Sequence, residues 1–396
     1  MLRGFRPGSA LGLAYLGFVS LGVRSSLLGI TWPSIRADFD VPLDALGALI
    51  GPSAAGYLVG SFVSGRALAR WPLGVLLAAA FAGLAISLVG SAVAPTWWLL
   101  LLLGIPGGLG AGLVDAGLNT YVANRQGPRQ VNWLHASWGI GATLSPFVVS
   151  AALSAGFGWR LGYLVTGLLL LALGAAYLVT RAAWPSRSQI VHQHPPDFAH
   201  RGATMWQTLR LPAAWLSMLL FIVYTGVELS IGQWAFPLLV SARGLGTVEA
   251  GAAVSAYWAG LTLGRLFFGG IVATIGVERL LQACLLTVLV GLGLLWAPAS
   301  PGMAFAAPSL VFVALGLLGV AQAPVYPALI ALTPSHFGSA HTANAVGFQV
   351  AASVIGGAGL PALIGVFAQA FGLETIVPTL LAAALLQMCC YVAWSR

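Results

Sequence analysis

The chain has 396 residues, of which 59% are hydrophobic and only 7% charged, with a formal net charge of +8. A soluble globular chain carries about 25% charged residues, so this one cannot cover a water-facing surface of its own size. A soluble enzyme, a disordered protein and a nucleic-acid binder are therefore excluded despite the basic balance. Fifty-one glycines without a Gly-X-Y period exclude collagen and suit close helix packing in lipid. Long, continuously apolar runs exclude an outer-membrane barrel, whose strands alternate. The class that remains is an all-α polytopic membrane protein.

In chain order, Met1 to Pro7 is basic and precedes an apolar stretch that runs to about Trp32. It is too long for a cleaved leader and contains Arg24, so it reads as the first span. Further spans are predicted near 44–64, 74–93, 98–122, 133–155 and 161–181. A polar segment follows, holding Arg181, Arg187, Arg201, Arg210, Asp197, His192, His194 and His200. Spans then fall near 211–240, 249–271, 279–298, 304–332, 341–369 and 376–394. The expected organisation is a six-helix bundle over 1–181, a cytoplasmic linker over 182–210 and a second six-helix bundle over 211–396. The linker's histidines read as a solvated segment, because no Cys or acidic cluster joins them into a metal site. Cys284, Cys389 and Cys390 lie inside apolar runs, so no disulfide, metal or cofactor site is expected.

All seventeen basic residues are Arg, and their distribution sets the orientation. With both termini inside, the interior segments hold twelve Arg and the exterior ones hold three, Arg36, Arg160 and Arg243. The positive-inside rule then places both termini and the linker in the cytoplasm. Trp97 and Trp98 stand at an exterior boundary and read as interfacial belt residues.

The halves repeat weakly. GSFVSG at 60–65 matches GRLFFG at 264–269, an offset of 204. Gly112, Asp115, Ala116 and Asn119 match Gly319, Gln322, Ala323 and Tyr326, an offset of 207. Two duplicated bundles related by an axis along the membrane normal form the known rocker arrangement of secondary transporters around a midplane site.

Particular segments carry a family resemblance. GVRSSLLGITWPSI at 22–35, GLVDAGLNTYVAN at 112–124, NWLHASWGIGATLSP at 132–146 and YTGVELSIGQW at 224–234 resemble the first, fourth, fifth and seventh spans of the fucose permease branch of the major facilitator superfamily. GLTLGRLFFGG at 260–270, QAPVYPALIAL at 322–332 and VGFQVAASVIGGAGLP at 346–361 resemble its eighth, tenth and eleventh. The resemblance implies proton-coupled uptake of a hexose or a related small polar metabolite. Two departures stand out. Where relatives often carry an acid in the first span, this chain has Arg24, Ser25 and Ser26. The loop GRALARWP at 65–72 lacks the family's usual Asp.

Four ionised residues fall inside spans: Arg24, Asp115, Glu228 and Arg265. Each costs about 2.5–3.5 kcal/mol at the bilayer centre if left facing lipid, so each is expected to face the protein interior or to find a partner. Asp115 matches the family's acidic position in the fourth span and reads as the proton site. The alternative is a permanent Asp–Arg bridge. Glu228 is read as taking part in proton coupling, in bonding sugar hydroxyls, or in a bridge to Arg265. Arg24 is expected to serve as the counter-ion of Asp115, with anion binding as the alternative. Arg265 is expected to gate, to snorkel to the interface or to cap a neighbouring helix.

Amides bond paired hydroxyls and aromatic rings stack on a pyranose. The expected substrate-binding set is therefore Asn119, Tyr121, His135, Trp138, Tyr224, Gln233, Trp234, Gln322, Tyr326 and Gln349, with Asn344, Trp258 and Phe348 as further lining. The overall expectation is a monomeric secondary transporter of the bacterial inner membrane. Its partners are the bilayer, a small-molecule substrate and protons, with sodium as the other possible ion. A proton-driven exporter of drugs or metabolites, which uses the same fold, is the rival reading. No convergent acid–base or metal constellation supports an enzyme.

Overall fold

The computed structural model describes residues 7–126, 128–184, 203–296 and 308–395. Among the described residues every regular element is helical. This follows from the apolar runs, because in lipid a helix satisfies its own backbone donors and acceptors. The first six spans are α1 Pro7–Phe39, α2 Ala45–Arg70, α3 Leu73–Val93, α4 Trp97–Gln126, α5 Pro128–Ser154 and α6 Trp159–Val179. They are followed by α7 Pro212–Pro237, α8 Thr247–Ile275 and α9 Val277–Trp296.

The next two spans share one uninterrupted-looking stretch. Pro308–Gln322 is followed, after a turn at Ala323 and Pro324, by a helix Val325–Phe371 of 47 residues. About 20 residues cross a bilayer, so this helix cannot be one span. Gly338 breaks it, with φ 67 and ψ 167, a backbone region that side chains with a Cβ avoid. Residues 308–337 thus form α10 and 339–371 form α11. The sequence pattern placed the end of the tenth span at 332; the helix runs five residues further and turns on Gly338 alone. Ile376–Trp394 is α12. Ten helices meet the length and composition needed to cross a membrane. Counting α8 and dividing Ser309–Phe371 at Gly338 gives the twelve spans of two pseudo-symmetric six-helix bundles.

The chain forms two compact units, one built from α1 to α6 and one from α7 to α12 together with the segment Pro42–Gly47. The first unit packs around Phe18, Phe81 and Tyr177, all fully buried. Phe81 stacks on Tyr177 at 5.1 Å between centroids, and the Tyr177 hydroxyl donates to the Leu13 carbonyl at 2.7 Å. The second packs Tyr224, Leu281, Leu285, Val325, Leu329, Tyr391 and Trp394 together. Large apolar side chains such as Phe62, Trp98 and Phe371 are more than 70% exposed, as expected where the outer surface meets lipid rather than water. Trp97, predicted as a belt residue beside Trp98, also packs against Trp32 and Phe39.

Most of the predicted linker, including Arg187, His192, His194, Asp197, His200 and Arg201, lies outside the described residues. Its end is a short helix, Met205–Leu209, closed at its N-terminus by a reciprocal capping box between Thr204 and Gln207. Asn344, expected to bind substrate hydroxyls, is used here instead. Its amide donates to the Ala203 carbonyl at 2.7 Å and to Thr208 Oγ1 at 3.1 Å.

Glycine seams hold paired helices at backbone contact, and these seams align the halves. A Cβ on Gly56 or Gly60 of α2 would strike the backbone of Ile105 or Leu109 on α4; one on Gly260 or Gly264 of α8 would strike Gly316 or Val320 on α10. On the facing side, Gly108 abuts Ser53 and Tyr57 as Gly319 abuts Tyr257 and Leu261. The α2–α8 offset is therefore 204, as read from the sequence, but the α4–α10 offset is 211 (Gly108 to Gly319, Leu109 to Val320) and not 207. The correction is one helical turn. Tyr326, not Gln322, is therefore the repeat counterpart of Asp115, and Gln322 is that of Ala111. In the same way Gly141 abuts Val19 while Gly356 abuts Ile222, which makes Glu228 the repeat counterpart of Ser25.

Candidate functional site

The four intramembrane charges divide two to each unit, Arg24 and Asp115 standing apart in the first and Glu228 and Arg265 paired in the second. In the first unit, Asp115 sits midway along α4. Tyr57 of α2 donates its hydroxyl to Asp115 Oδ2 at 2.6 Å, and Asn119, one turn on, donates its amide to Oδ1 at 3.0 Å and to the Asp115 carbonyl at 3.0 Å. His135 of α5 lies within electrostatic reach of the carboxylate. It is exposed, and its ring meets Phe18 edge-on at 5.6 Å. Each oxygen of Asp115 thus has a donor, and neither donor is a cation.

Arg24 does not pair with Asp115. Its guanidinium donates to Ser53 Oγ of α2 at 2.8 Å, and the ion pairs formed among the described residues are Arg160–Asp38, Arg243–Glu374 and Arg265–Glu228. The reason is a matter of level along α4. Arg24 Nη2 lies beside Gly107, where a Cβ would stand 3.2 Å from it. Asp115 is eight residues further, about 12 Å at the helical rise. Gly107 leaves room for the guanidinium that any side chain would fill.

In the second unit, Glu228 of α7 is 6% exposed. Its carboxylate accepts from the Tyr224 hydroxyl and from Arg265 Nη2 of α8 at 3.3 Å, and its carbonyl accepts from the Tyr257 hydroxyl at 2.8 Å. The Tyr224 oxygen also lies 3.2 Å from the Gln322 carbonyl. A hydroxyl has one proton, and the carboxylate is the stronger acceptor. Arg265, expected among other roles to snorkel to the interface, points inward to this pair. The bridge between Glu228 and Arg265 raised by the sequence is the arrangement seen.

The other sequence-derived residues divide by what holds them. Tyr121 is buried against Trp184 at 5.0 Å. Trp234 is fully buried, with its indole N–H donating to the Pro361 carbonyl at 2.9 Å. Gln349 is fully buried and accepts from Thr333 at 3.0 Å. Tyr326 is partly buried, edge-on to Phe221 at 5.2 Å and tilted against Tyr224 at 6.1 Å. Gln233 and Trp138 are partly buried. Gln322 is fully buried, and neither atom of its side-chain amide has a partner. A buried amide without partners is costly, so Gln322 holds donor and acceptor capacity that the folded chain leaves unused.

Sequence reasoning missed Ser53, Tyr57 and Tyr257, the neutral partners of the charges. The available signal was the i, i+4 spacing of Ser53 and Tyr57 on one face of the second span. It also missed two clamps near helix ends. Arg243 grips Glu374 with Nε and Nη2 (2.9 and 2.8 Å), and Arg160 of α6 bonds Asp38 of α1 at 3.1 Å.

The sequence profile described as Major Facilitator Superfamily matches residues 13–358. The chain belongs to this superfamily. Among relatives of the superfamily chain, "Bypass of stop codon protein 6" of Saccharomyces cerevisiae is 24% identical over 91% of this chain and 77% of its own length. "Sodium-dependent glucose transporter 1A" of Mus musculus is 22% identical over 89% and 88%. Among solved structures, a variant of the nucleoside transporter NupG superposes with a TM-score of 0.79 at 15% identity, covering 98% of this chain and 99% of that one. A D-xylose–proton symporter superposes at 0.71 with 18% identity, covering 96% and 97%. These likenesses establish the fold, a multi-pass major facilitator transporter fold.

Proposed function

We propose that this superfamily member is a secondary active transporter that works by alternating access and takes up a sugar or a similar small polar metabolite together with protons. The observation that carries the reading is the state of Asp115. It is the one carboxylate of the two inside spans that is held by neutral donors, Tyr57 and Asn119, rather than by an arginine. A carboxyl group held this way gains or loses a proton without breaking an ion pair, whereas Glu228 is committed to Arg265. The likeness to a sodium-dependent glucose transporter and to a D-xylose–proton symporter supports a hydroxyl-bearing substrate, and the unused amide of Gln322 suits one. The Arg distribution supports a cytoplasmic-membrane protein with both termini inside.

The test is Asp115→Asn in proteoliposomes. Proton-driven accumulation is expected to be lost while substrate counterflow continues. Unchanged proton coupling overturns the assignment. Efflux of amphipathic cations with no sugar or metabolite uptake selects the exporter reading instead.

A further inference from the structure

The two intramembrane arginines differ in one respect. Arg265 is matched by Glu228, with which it forms an ion pair at 3.3 Å. Among the described residues Arg24 bonds a neutral hydroxyl, Ser53, and the residue beside its guanidinium is Gly107, which adds no side chain. Among the described residues the elements around it supply no carboxylate in ion-pair contact. Ser53 is the contact from α2, Ser87 of α3 lies against Gly107, and Tyr163 of α6 is within electrostatic reach of the guanidinium. Asp115, on the same helix as Gly107, is two turns away and faces Tyr57, Asn119 and His135. α3 carries no titratable residue toward either group. A guanidinium in a span, with five donors and no carboxylate paired to it among the described residues, has the form of an anion receptor.

We propose that Arg24 binds an anionic group of the substrate, so that the transported molecule is a small carboxylate-bearing polar metabolite such as a sugar acid. This rests on the proton-coupled uptake reading above. The charges then explain the coupling. With the site empty, Arg24 is positive and Asp115 negative, and the first unit carries no net charge within the membrane. With both cargoes aboard, the substrate anion neutralises Arg24 and the proton neutralises Asp115, and the sum is again zero. With only one cargo, a single charge is left within the membrane, where it is penalised. Crossing is thereby restricted to the empty and the doubly loaded forms. One proton and one monoanion move together, and no net charge is translocated.

The experiment uses the full chain in liposomes with an inside-alkaline pH gradient. The probes are labelled glucuronate, gluconate and lactate, with glucose and galactose as neutral counterparts. At least one acid is expected to accumulate, and imposing a potassium diffusion potential with valinomycin is expected to leave its rate unchanged. Arg24→Gln is expected to cut acid uptake about 10- to 100-fold, the loss of charge-assisted bonds to one carboxylate. Arg24→Lys is expected to restore part of it, and Ser53→Ala to raise KM more than it lowers kcat. Because Arg24→Gln removes no partner of another charge, its elution as a monodisperse peak and its unaltered thermal midpoint separate loss of binding from loss of fold. Proton-coupled uptake of the neutral sugars alone overturns this proposal and leaves the symport reading standing. Acid uptake that responds to the imposed potential overturns the charge-matching argument. Transport of none of the five compounds, or efflux of cations only, overturns both readings.

Discussion

Asp115 and Glu228 are the same functional group in comparable surroundings, a carboxylate on a long span with a tyrosine hydroxyl at one oxygen. They differ in what stands at the other oxygen, Asn119 for Asp115 and Arg265 for Glu228. The amide holds Asp115 without a countercharge, whereas the guanidinium holds Glu228 in an ion pair. Chemical identity in the sequence is therefore a poor guide to role; the neighbour across the helix interface decides it.

Three tests sharpen this contrast. The largest effect is expected from Arg265→Leu, which leaves Glu228 buried and unpaired. Breaking a buried pair from one side costs about 3–5 kcal/mol, and because Arg265 is 27% exposed the lower end, about 3 kcal/mol, is expected as a fall in the thermal midpoint. A Glu228→Gln, Arg265→Leu double variant is expected to recover most of that loss; if it does not, the pair is not the reason for the loss. Next is the comparison of Tyr57→Phe with Tyr257→Phe. Each removes one hydroxyl, and a hydrogen bond to a charged group is worth about 1.5–3 kcal/mol against about 1 for a neutral one. Tyr57→Phe is therefore expected to be the more destabilising and to change the pH profile of uptake. Tyr257→Phe, which loses only a bond to a carbonyl, is expected to leave the profile alone. The smallest effect is expected from Arg24→Leu, within about 1 kcal/mol, since the loss of one bond to Ser53 is offset by the removal of a desolvated charge. A loss as large as that of Arg265→Leu would mean that Arg24 has a permanent anionic partner.

The spans were legible because lipid demands long apolar helices, and that demand is written residue by residue. The four charges inside them were legible for the same reason. Which charge meets which was not, because partners such as Tyr57 and Asp115 are 58 residues apart and no local pattern joins them. Helix periodicity also misled the internal alignment. Gly108 and Gly112 lie on one face, one turn apart, and both touch α2, so a match displaced by four residues looks as good as the true one. Backbone contact settled the register where residue similarity could not. Gly338 was a similar case. Its surroundings read as a loop of several residues, and a single left-handed glycine suffices.

The seams between α2 and α4 and between α8 and α10 have a further meaning. They are kept in matching register in both halves, although Ser53 has become Tyr257 and Asp115 has become Tyr326. The close helix contacts are the same in the two halves while the polar side chains differ. The seams are made by backbone atoms and glycines, so the side chains beside them are free to differ between the halves, as Ser53 and Tyr257 do, without any change in how closely the helices approach.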